Sequence, residues 1–183
     1  MLYIALLHHP VYNKERKVVT TSIANMDIHD LARVAKTYAV SGFYIVNPIE
    51  EQRNLAQEII HHWLKGYGAV YNEFRKDAFE LIHVNAKLKD VINDVNRKTG
   101  CRPKTIVTGA NFTGEILKFA ELKKILRNNK APYLLIFGTG SGLADEIVNE
   151  SDFKLEPIRG HAGYNHLAVR SAVAIIMDKI MGV

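Results

Sequence analysis

Short apolar segments alternate with longer segments of helical periodicity along the whole chain. Six apolar segments have the length of buried strands: 2–7, 42–46, 80–84, 105–108, 133–137 and 153–155. Apolar positions recur at helical spacing in the segments between and after them: 28–38, 49–65, 86–98, 113–127 and 167–181. Strands joined through helices run parallel, because a parallel return needs a long crossover. The pattern therefore predicts an α/β fold, with a mostly parallel sheet flanked by helices on both faces.

Nothing in the sequence divides this alternation into parts. The five prolines are scattered, and neither a glycine–serine linker nor an internal repeat is present. The content of 48% hydrophobic residues is enough for one globular core, so we expect a single domain over residues 1–183. No apolar segment approaches the roughly 20 residues of a membrane span. The first apolar run also lacks the basic leader of a signal peptide, so we expect a cytoplasmic protein with no membrane partner.

Charge and metal-ligand composition narrow the expected partners. A net charge of +5 and a pI of about 9.2 suit a polyanion such as RNA, although many basic proteins bind no nucleic acid. The single cysteine, Cys101, leaves no cysteine pair for structural zinc. The doublets His8–His9 and His61–His62 are poor chelates, because adjacent side chains point to different sides of a strand or helix. We therefore expect no metal site.

Local signals predict helix ends and two long loops. Asn25 or Asp27 is expected to cap the first helix, and Asn165 the last. The segments 10–17 and 65–77 are predicted loops. The first contains basic residues that could touch RNA phosphate or could lie in a solvated turn: Lys14, Arg16 and Lys17. The second mixes aromatic rings with basic residues and could stack on nucleotides, but we favour anchoring of its rings in the core. Its residues are Tyr67, Tyr71, Phe74, Arg75 and Lys76.

Candidate chemistry concentrates in the last third of the chain. The apolar strand beginning at Tyr133 runs into glycines at alternate positions, 138, 140 and 142. Beyond a parallel strand, such glycines either cradle a ligand or form an ordinary tight turn. Their spacing is neither the dinucleotide fingerprint nor a P-loop. A second irregular segment, Pro-Ile-Arg-Gly-His-Ala-Gly-Tyr-Asn at 157–165, leads into a helix that is apolar nearly all round. Such a helix is buried in the core or against another subunit.

Three stretches resemble the SPOUT class of RNA methyltransferases. Phe137-Gly-Thr-Gly-Ser-Gly142 after its strand is similar to the family's second motif. Tyr164-Asn-His-Leu-Ala-Val-Arg-Ser-Ala172 at a helix start is similar to the third. Residues 31–40, followed by Gly42-Phe-Tyr-Ile-Val-Asn-Pro48, resemble the N-terminal half, where an arginine on the first helix precedes a strand ending in Asn-Pro. The resemblance covers most of the chain. It implies a C-terminal deep trefoil knot that binds S-adenosylmethionine, and a homodimer formed through the knot region.

The resemblance also implies which residues bind the cofactor, largely through backbone groups of three loops. They are Thr108 and Gly109 in the first loop, Phe137, Gly138, Thr139, Gly140 and Gly142 in the second, and Ile158, Gly160, Tyr164, Asn165, His166 and Leu167 in the third. A sulfonium methyl group is already activated, so methyl transfer needs no metal. The protein has to align the acceptor in line behind the methyl group and manage its proton.

Two residues of the first predicted helix are the expected catalytic residues. Arg33 matches the family's first-motif arginine and would orient the acceptor or a nearby phosphate. Asp27 would accept the proton, with Asp30, His161 and His166 as rivals. A surface ion pair of Arg33 with an aspartate on its own helix is the alternative explanation of that arginine. Ribose-methylating relatives have asparagine where this chain has Asp27, so the choice between a ribose 2′-hydroxyl and a base stays open.

The sequence thus predicts an S-adenosylmethionine-dependent RNA methyltransferase acting on tRNA or rRNA. Two alternatives remain at this point. One is a knotted protein that binds RNA without catalysis. The other is a Rossmann-like enzyme in which the glycine-rich turn binds a nucleotide phosphate, although the first strand carries no glycine fingerprint.

Overall fold

The computed structural model describes residues 1–161 and 164–183, which form eight strands and eight helices. The strands are β1 (Leu2–Leu7), β2 (Val11–Tyr12), β3 (Val18–Val19), β4 (Gly42–Val46), β5 (Ile82–Asn85), β6 (Lys104–Val107), β7 (Tyr133–Gly138) and β8 (Phe153–Lys154). The helices are α1 (Asn25–Thr37), α2 (Glu50–Leu64), α3 (Tyr67–Tyr71), α4 (Glu73–Phe79), α5 (Leu88–Thr99), α6 (Phe119–Asn128), α7 (Asp145–Glu150) and α8 (Val169–Met181).

Six strands form one sheet in the order β5-β4-β1-β7-β6-β8, and every pairing within it is parallel. These are the six strands that the apolar pattern predicts, so the α/β class is confirmed. The central strand β1 is buried along its whole length and aligns Leu2–Leu7 with Tyr133–Gly138 of β7. Strands buried on both faces read as continuous apolar runs, which explains why the pattern locates them well.

Helices cover both faces of the sheet. Alternate side chains of β1 enter two cores, with Ile4 and Leu6 in one and Ala5 and Leu7 in the other. The first core contains buried residues of α1, α4, α6 and α8, and the second contains residues of α5. Helix α8 packs against α1, α6 and β7. Burial explains the apolar character of much of α8, whose exposed positions include Asp178 and Lys179.

The helix ends differ from the predicted ones. Helix α1 begins at Asn25 itself, and the preceding Ala24 offers no side-chain cap. Asp27 lies inside the first turn and its carboxylate binds Arg170 instead. Asn165 does not cap α8 either, because its amide donates to the carbonyl of Ala110.

The predicted helix over 113–127 begins only at Phe119. Gly114 adopts φ +85°, which is incompatible with a helix. Leu117 then extends the sheet by a parallel bridge to Leu155. Segment 113–118 therefore belongs to the loop that follows β6.

Both predicted long loops contain regular structure. In segment 10–17, β2 pairs with the following β3 as a short antiparallel hairpin. Segment 65–77 folds into α3 and most of α4. The side chain of Asn72 caps α4 by accepting from Arg75 N at 2.9 Å, and the Arg75 guanidinium lies 4.6 Å from the centre of the Trp63 ring. The short helix α7 was not predicted. No helix of the described chain has both the length and the apolar character to cross a membrane.

The outer strand β8 is joined to the sheet through Asp152. Its Oδ2 atom accepts from both the backbone N and the Oγ1 of Thr105 at 2.9 Å, and Oδ1 lies 2.9 Å from Lys104 Nζ. Burial alone would raise the pKa of Asp152, but the bonds from Thr105 and Lys104 outweigh it and lower the pKa. The carboxylate therefore stabilises the position from which the chain enters segment 155–167.

We predict that Asp152→Ala lowers the free energy of unfolding by about 1–3 kcal/mol at pH 7, because buried donors of Thr105 lose their partner. A carboxylate with a lowered pKa stabilises the fold above its ordinary pKa of 3.8. The difference from wild type should therefore shrink as the pH falls below that value. Urea unfolding measures both effects.

Asp145→Ala is the matched control, since Asp145 forms an exposed ion pair with Arg16. We expect a loss of only about 0–1 kcal/mol there. Equal losses in the two variants would contradict the role of Asp152.

Candidate functional site

Three loops meet beyond the carboxyl ends of β6, β7 and β8. Thr108 follows β6 and donates both its backbone N and its Oγ1 to the carbonyl of Ile136, each at 3.0 Å. Leu155 follows β8 and donates its backbone N to Val107 O at 2.9 Å. Asn165 Nδ2 donates to Ala110 O at 3.1 Å, which ties the last loop to the first. The predicted cofactor-binding segments are therefore neighbours.

The third loop offers mainly exposed groups. Ile158 packs against the core, whereas Gly160, Tyr164, His166 and Leu167 are exposed. The Tyr164 and His166 rings lie 5.3 Å apart between centroids. Ala162 and Gly163 of the predicted loop lie outside the described residues. His161 is exposed beside them.

The glycine-rich turn after β7 is partly filled by the protein itself. A Cβ atom on Gly138 would lie 2.9 Å from Leu143 atoms, and one on Gly140 would lie 2.7 Å from Tyr12 O. Tyr12 also binds the turn through Tyr12 N to Gly142 O and Ser141 N to Tyr12 O, at 2.8 and 2.7 Å. Gly138 and Gly140 are therefore needed for packing within the chain.

Two other glycines of these loops have open space beside their Cα atoms. Gly142 adopts φ +110°, and a Cβ there would meet no atom of the described residues within 4 Å. Gly160 has the same free space. A Cβ on Gly109, by contrast, would meet the Phe112 ring at 2.8 Å. The backbone N and carbonyl of Gly142 are already bonded to Thr139 O and Tyr12 N, so position 142 offers a ligand space beside the chain and not free backbone groups. A ligand can lie against the chain at positions 142 and 160.

A cluster of four charged residues links α1 to the start of α8. Arg170 lies 3.3 Å from Asp27 Oδ1 through NH1 and 3.7 Å from Asp30 Oδ2 through Nε. Arg33 lies 3.9 Å from Asp30 and its side chain is 61% exposed. Burial raises the pKa of Asp27, and this outweighs the lowering by Arg170. The expected catalytic residues thus lie beside the helix that follows the third loop, with Arg33 turned to solvent.

A buried hydrogen-bonded chain reaches the glycine-rich turn from β1, and sequence reasoning missed it. His8 follows β1, is 1% exposed, and its Nδ1 lies 2.9 Å from Thr21 Oγ1. Thr21 Oγ1 lies 2.5 Å from Thr139 Oγ1, and Thr139 Oγ1 donates to Leu7 O. His8 Nε2 is buried and has no hydrogen-bond partner among the described residues. The only sequence signal was a histidine at the end of a buried strand.

The members of each histidine doublet differ in their contacts. His8 is buried, whereas the neighbouring His9 Nδ1 lies 3.1 Å from Thr20 Oγ1. His61 borders two cavities, and His62 packs edge-on against Trp63. Within residues 1–161 and 164–183, no three histidine, cysteine, aspartate or glutamate side chains form a metal-binding group.

A family model described as SAM-dependent RNA methyltransferase matches residues 1–182. The chain belongs to this family. The predicted membership in a family of S-adenosylmethionine-dependent RNA methyltransferases is thereby confirmed. The family assignment also argues against the alternative of a Rossmann-like nucleotide-binding enzyme.

Similar proteins support the assignment. The chain is 42% identical over 181 residues to a tRNA (guanine-N(1)-)-methyltransferase of Oleidesulfovibrio alaskensis, covering 99% of this chain and 42% of that protein. It is 38% identical to an uncharacterized protein of Aquifex aeolicus, covering 98% of this chain and 87% of that one. The chain thus spans about two fifths of the named tRNA methyltransferase.

A solved structure shows the same fold. The SpoU methyltransferase AviRb of Streptomyces viridochromogenes, in complex with AdoMet, superposes with a TM-score of 0.57 at 14% identity. The superposition covers 98% of this chain and 56% of that one. The chain therefore has an α/β fold similar to that of this SpoU methyltransferase.

We predict that His8 makes the fold sensitive to acid. Burial lowers the pKa of His8 from 6.5 to about 4. Between these values the unfolded chain binds a proton that the folded chain excludes, so the fold loses stability as the pH falls from 6.5 to 4. The loss reaches roughly 3 kcal/mol at most. His8→Gln should remove this part of the pH dependence of urea unfolding.

The exposed His61 supplies the control. His61→Gln should keep the acid sensitivity of the wild type, since His8 is still present. An unchanged pH profile in His8→Gln would contradict the prediction.

Proposed function

We propose that this chain, as one domain over residues 1–183, is a knotted enzyme that binds S-adenosylmethionine in the three loops after β6, β7 and β8. The C-terminal part of the chain, from segment 155–167 onward, would be threaded into a trefoil knot. The proposed RNA substrate is tRNA, since a relative with a named activity is a tRNA methyltransferase. The proposed location of the enzyme is the cytoplasm. Ribose 2′-hydroxyl and base remain alternative acceptors.

One contact carries the proposal: Asn165 Nδ2 to Ala110 O at 3.1 Å. It joins the third-motif segment to the loop after β6, while Thr108 joins that loop to β7. The proposed cofactor-binding residues are Thr108, Gly109, Phe137, Gly138, Thr139, Gly140, Gly142, Ile158, Gly160, Tyr164, Asn165, His166 and Leu167. Phe137 is buried and would act through its backbone.

The open space beside Gly142 and Gly160 supports the fit of an adenosyl compound. When bound, S-adenosylmethionine supplies an activated methyl group on a sulfonium centre. The surrounding chain would bind it through amides and carbonyls of the loops and hold it for in-line attack by the acceptor.

Arg33 and Asp27 would act on the acceptor. The exposed Arg33 can orient a hydroxyl or a phosphate with its fork of donors. The raised pKa of Asp27 favours proton uptake by its carboxylate. Arg170 would be a positioning residue, because it holds Asp27 and Asp30 together.

A homodimer through the C-terminal region would complete the site. Met26 directly precedes Asp27 and is 59% exposed, and Leu167 lies three residues before Arg170 and is 43% exposed. Tyr164 in the same region is 74% exposed. Apolar side chains of this size are typical of a surface that a second subunit covers.

We predict that Gly142→Val weakens binding of S-adenosylmethionine at least tenfold in a calorimetric titration, because a side chain would fill the open space beside the backbone. Gly100→Val is the matched control. Gly100 also has a positive φ and free space, but it follows α5 and lies outside the three cofactor loops. Similar backbone strain is thus introduced in both variants. Equal affinities in the two variants would contradict the proposed cofactor site.

We predict that Arg33→Ala lowers methyl transfer from labelled S-adenosylmethionine to bulk tRNA about 100-fold, as expected for a lost acceptor-orienting group. Cofactor affinity should stay within about twofold, because Arg33 binds the acceptor and not the cofactor. Lys36→Ala, on the same helix and also exposed, is the control and should keep full activity. Wild-type activity in Arg33→Ala would eliminate this role.

A further inference from the structure

An exposed apolar stripe runs along α3 and α4. Tyr67, Val70, Tyr71 and Phe74 recur at helical spacing and are 74%, 83%, 72% and 90% exposed. The Tyr67 and Tyr71 rings are stacked with centroids 6.0 Å apart. The sequence suggested that these rings anchor the core, which is wrong, because that role falls to Phe79 on α4. Three exposed aromatic rings so close in sequence are typical of an interaction surface.

A polar groove lies along α2 beside this stripe. Two cavities of about 440 and 590 Å³ share Gln57 and His61 as lining residues. The second cavity reaches Gly66, the residue directly before Tyr67. Its side-chain lining is polar, with amides and imidazoles beside one carboxylate: Asn54, Gln57, Glu58, His61 and His62. The amides and imidazoles both donate and accept hydrogen bonds, as recognition of base edges requires.

The open edge of the sheet forms the far end of the groove. Among the described strands, β5 pairs only with β4, so its outer backbone groups have no strand partner. His83, Val84 and Asn85 of this strand line the first cavity. Asn85 Oδ1 is buried and has no hydrogen-bond partner among the described residues. A buried acceptor of this kind is costly unless a ligand or water satisfies it.

The wall beside β5 is positively charged and firmly held. Lys98 Nζ lies 2.7 Å from Asp94 Oδ2 and 3.1 Å from His83 Nε2. Tyr44 and Arg97 also donate to Asp94. Burial would raise the pKa of Asp94, but the bonds from Lys98, Tyr44 and Arg97 outweigh it and lower the pKa to about 2. The two positive charges of Arg97 and Lys98 thus exceed the single negative charge of Asp94 at this wall.

We propose that the groove along α2 and the stripe on α3–α4 together bind unpaired nucleotides of the RNA substrate. Bases would stack on Tyr67, Tyr71 and Phe74, and their edges would bond to the groove. The inference rests on the proposed function for the identity of the ligand as substrate RNA. It places the RNA contact on the β5 side of the sheet, whereas the cofactor loops follow β6, β7 and β8.

Two features favour RNA over an added protein strand or helix. The stripe is mainly aromatic, and its rings already stack with free faces. The second cavity of the groove is lined by hydrogen-bonding side chains, whereas the first also contains Ile60, Leu64, Ile82 and Val84. Strand β5 has only four residues for pairing with a peptide. Lys65 adds a further cation between α2 and the stripe.

The test uses the full chain and a fluorescent single-stranded RNA of about 12 nucleotides, a length within the range of known binding sites. Tyr67→Ala/Tyr71→Ala should weaken binding at least tenfold in anisotropy titrations, because two stacking rings are lost. Tyr67→Phe/Tyr71→Phe keeps the rings and should bind within about twofold of wild type. Val70→Ala, on the same stripe without a ring, should also bind normally.

Affinity for S-adenosylmethionine and the molar mass in solution are measured in parallel. Both should be unchanged in every variant. Failure of the wild type to bind S-adenosylmethionine would reject the proposed function but leave the RNA result readable. Unchanged RNA affinity in the double alanine variant would overturn the inference. A reduced molar mass in that variant and in Val70→Ala, with unchanged RNA affinity, would overturn it in favour of a protein interface.

Discussion

The candidate site depends on the parallel pairing of β6 with both β7 and β8. The carboxyl ends of parallel strands lie at the same edge of a sheet, so the loops that follow neighbouring strands lie close together. Asp152 fastens β8 to β6, and Asn165 then connects the last loop back to Ala110. A site made in this way consists chiefly of backbone groups. We propose that it binds an adenosyl group, while the charged residues proposed to act on RNA, Asp27 and Arg33, lie on α1.

Much of the fold could be predicted from the sequence, because strands buried on both faces leave continuous apolar runs. The bounds of β1 and β4 were predicted residue for residue. Segment 65–77 was not, because α3 has only five residues and its apolar stripe faces solvent, where burial gives no guide. The cap expected at Asp27 failed for another reason: Arg170, distant in sequence, binds its carboxylate.

The site was predictable only in outline. The order of the motifs indicated the family and the three loops, but not which glycines are free. The space beside Gly140 is occupied by Tyr12 O. Tyr12 belongs to a hairpin that the sequence analysis did not predict. The hydrogen bonds between His8, Thr21 and Thr139 join three separate segments, so no local sequence pattern predicts them. Contacts between distant segments therefore decide which residues of a correct motif remain available to a ligand.

Amide chemical shifts of the isotopically labelled protein, recorded while S-adenosylmethionine is added, test the central claim most directly. The account predicts that the largest shifts fall on residues 108–110, 138–142 and 158–167, with little change along α2 and β5. Shifts concentrated around His61, His83 and Asn85, with the loops after β6 and β7 unaffected, would contradict it.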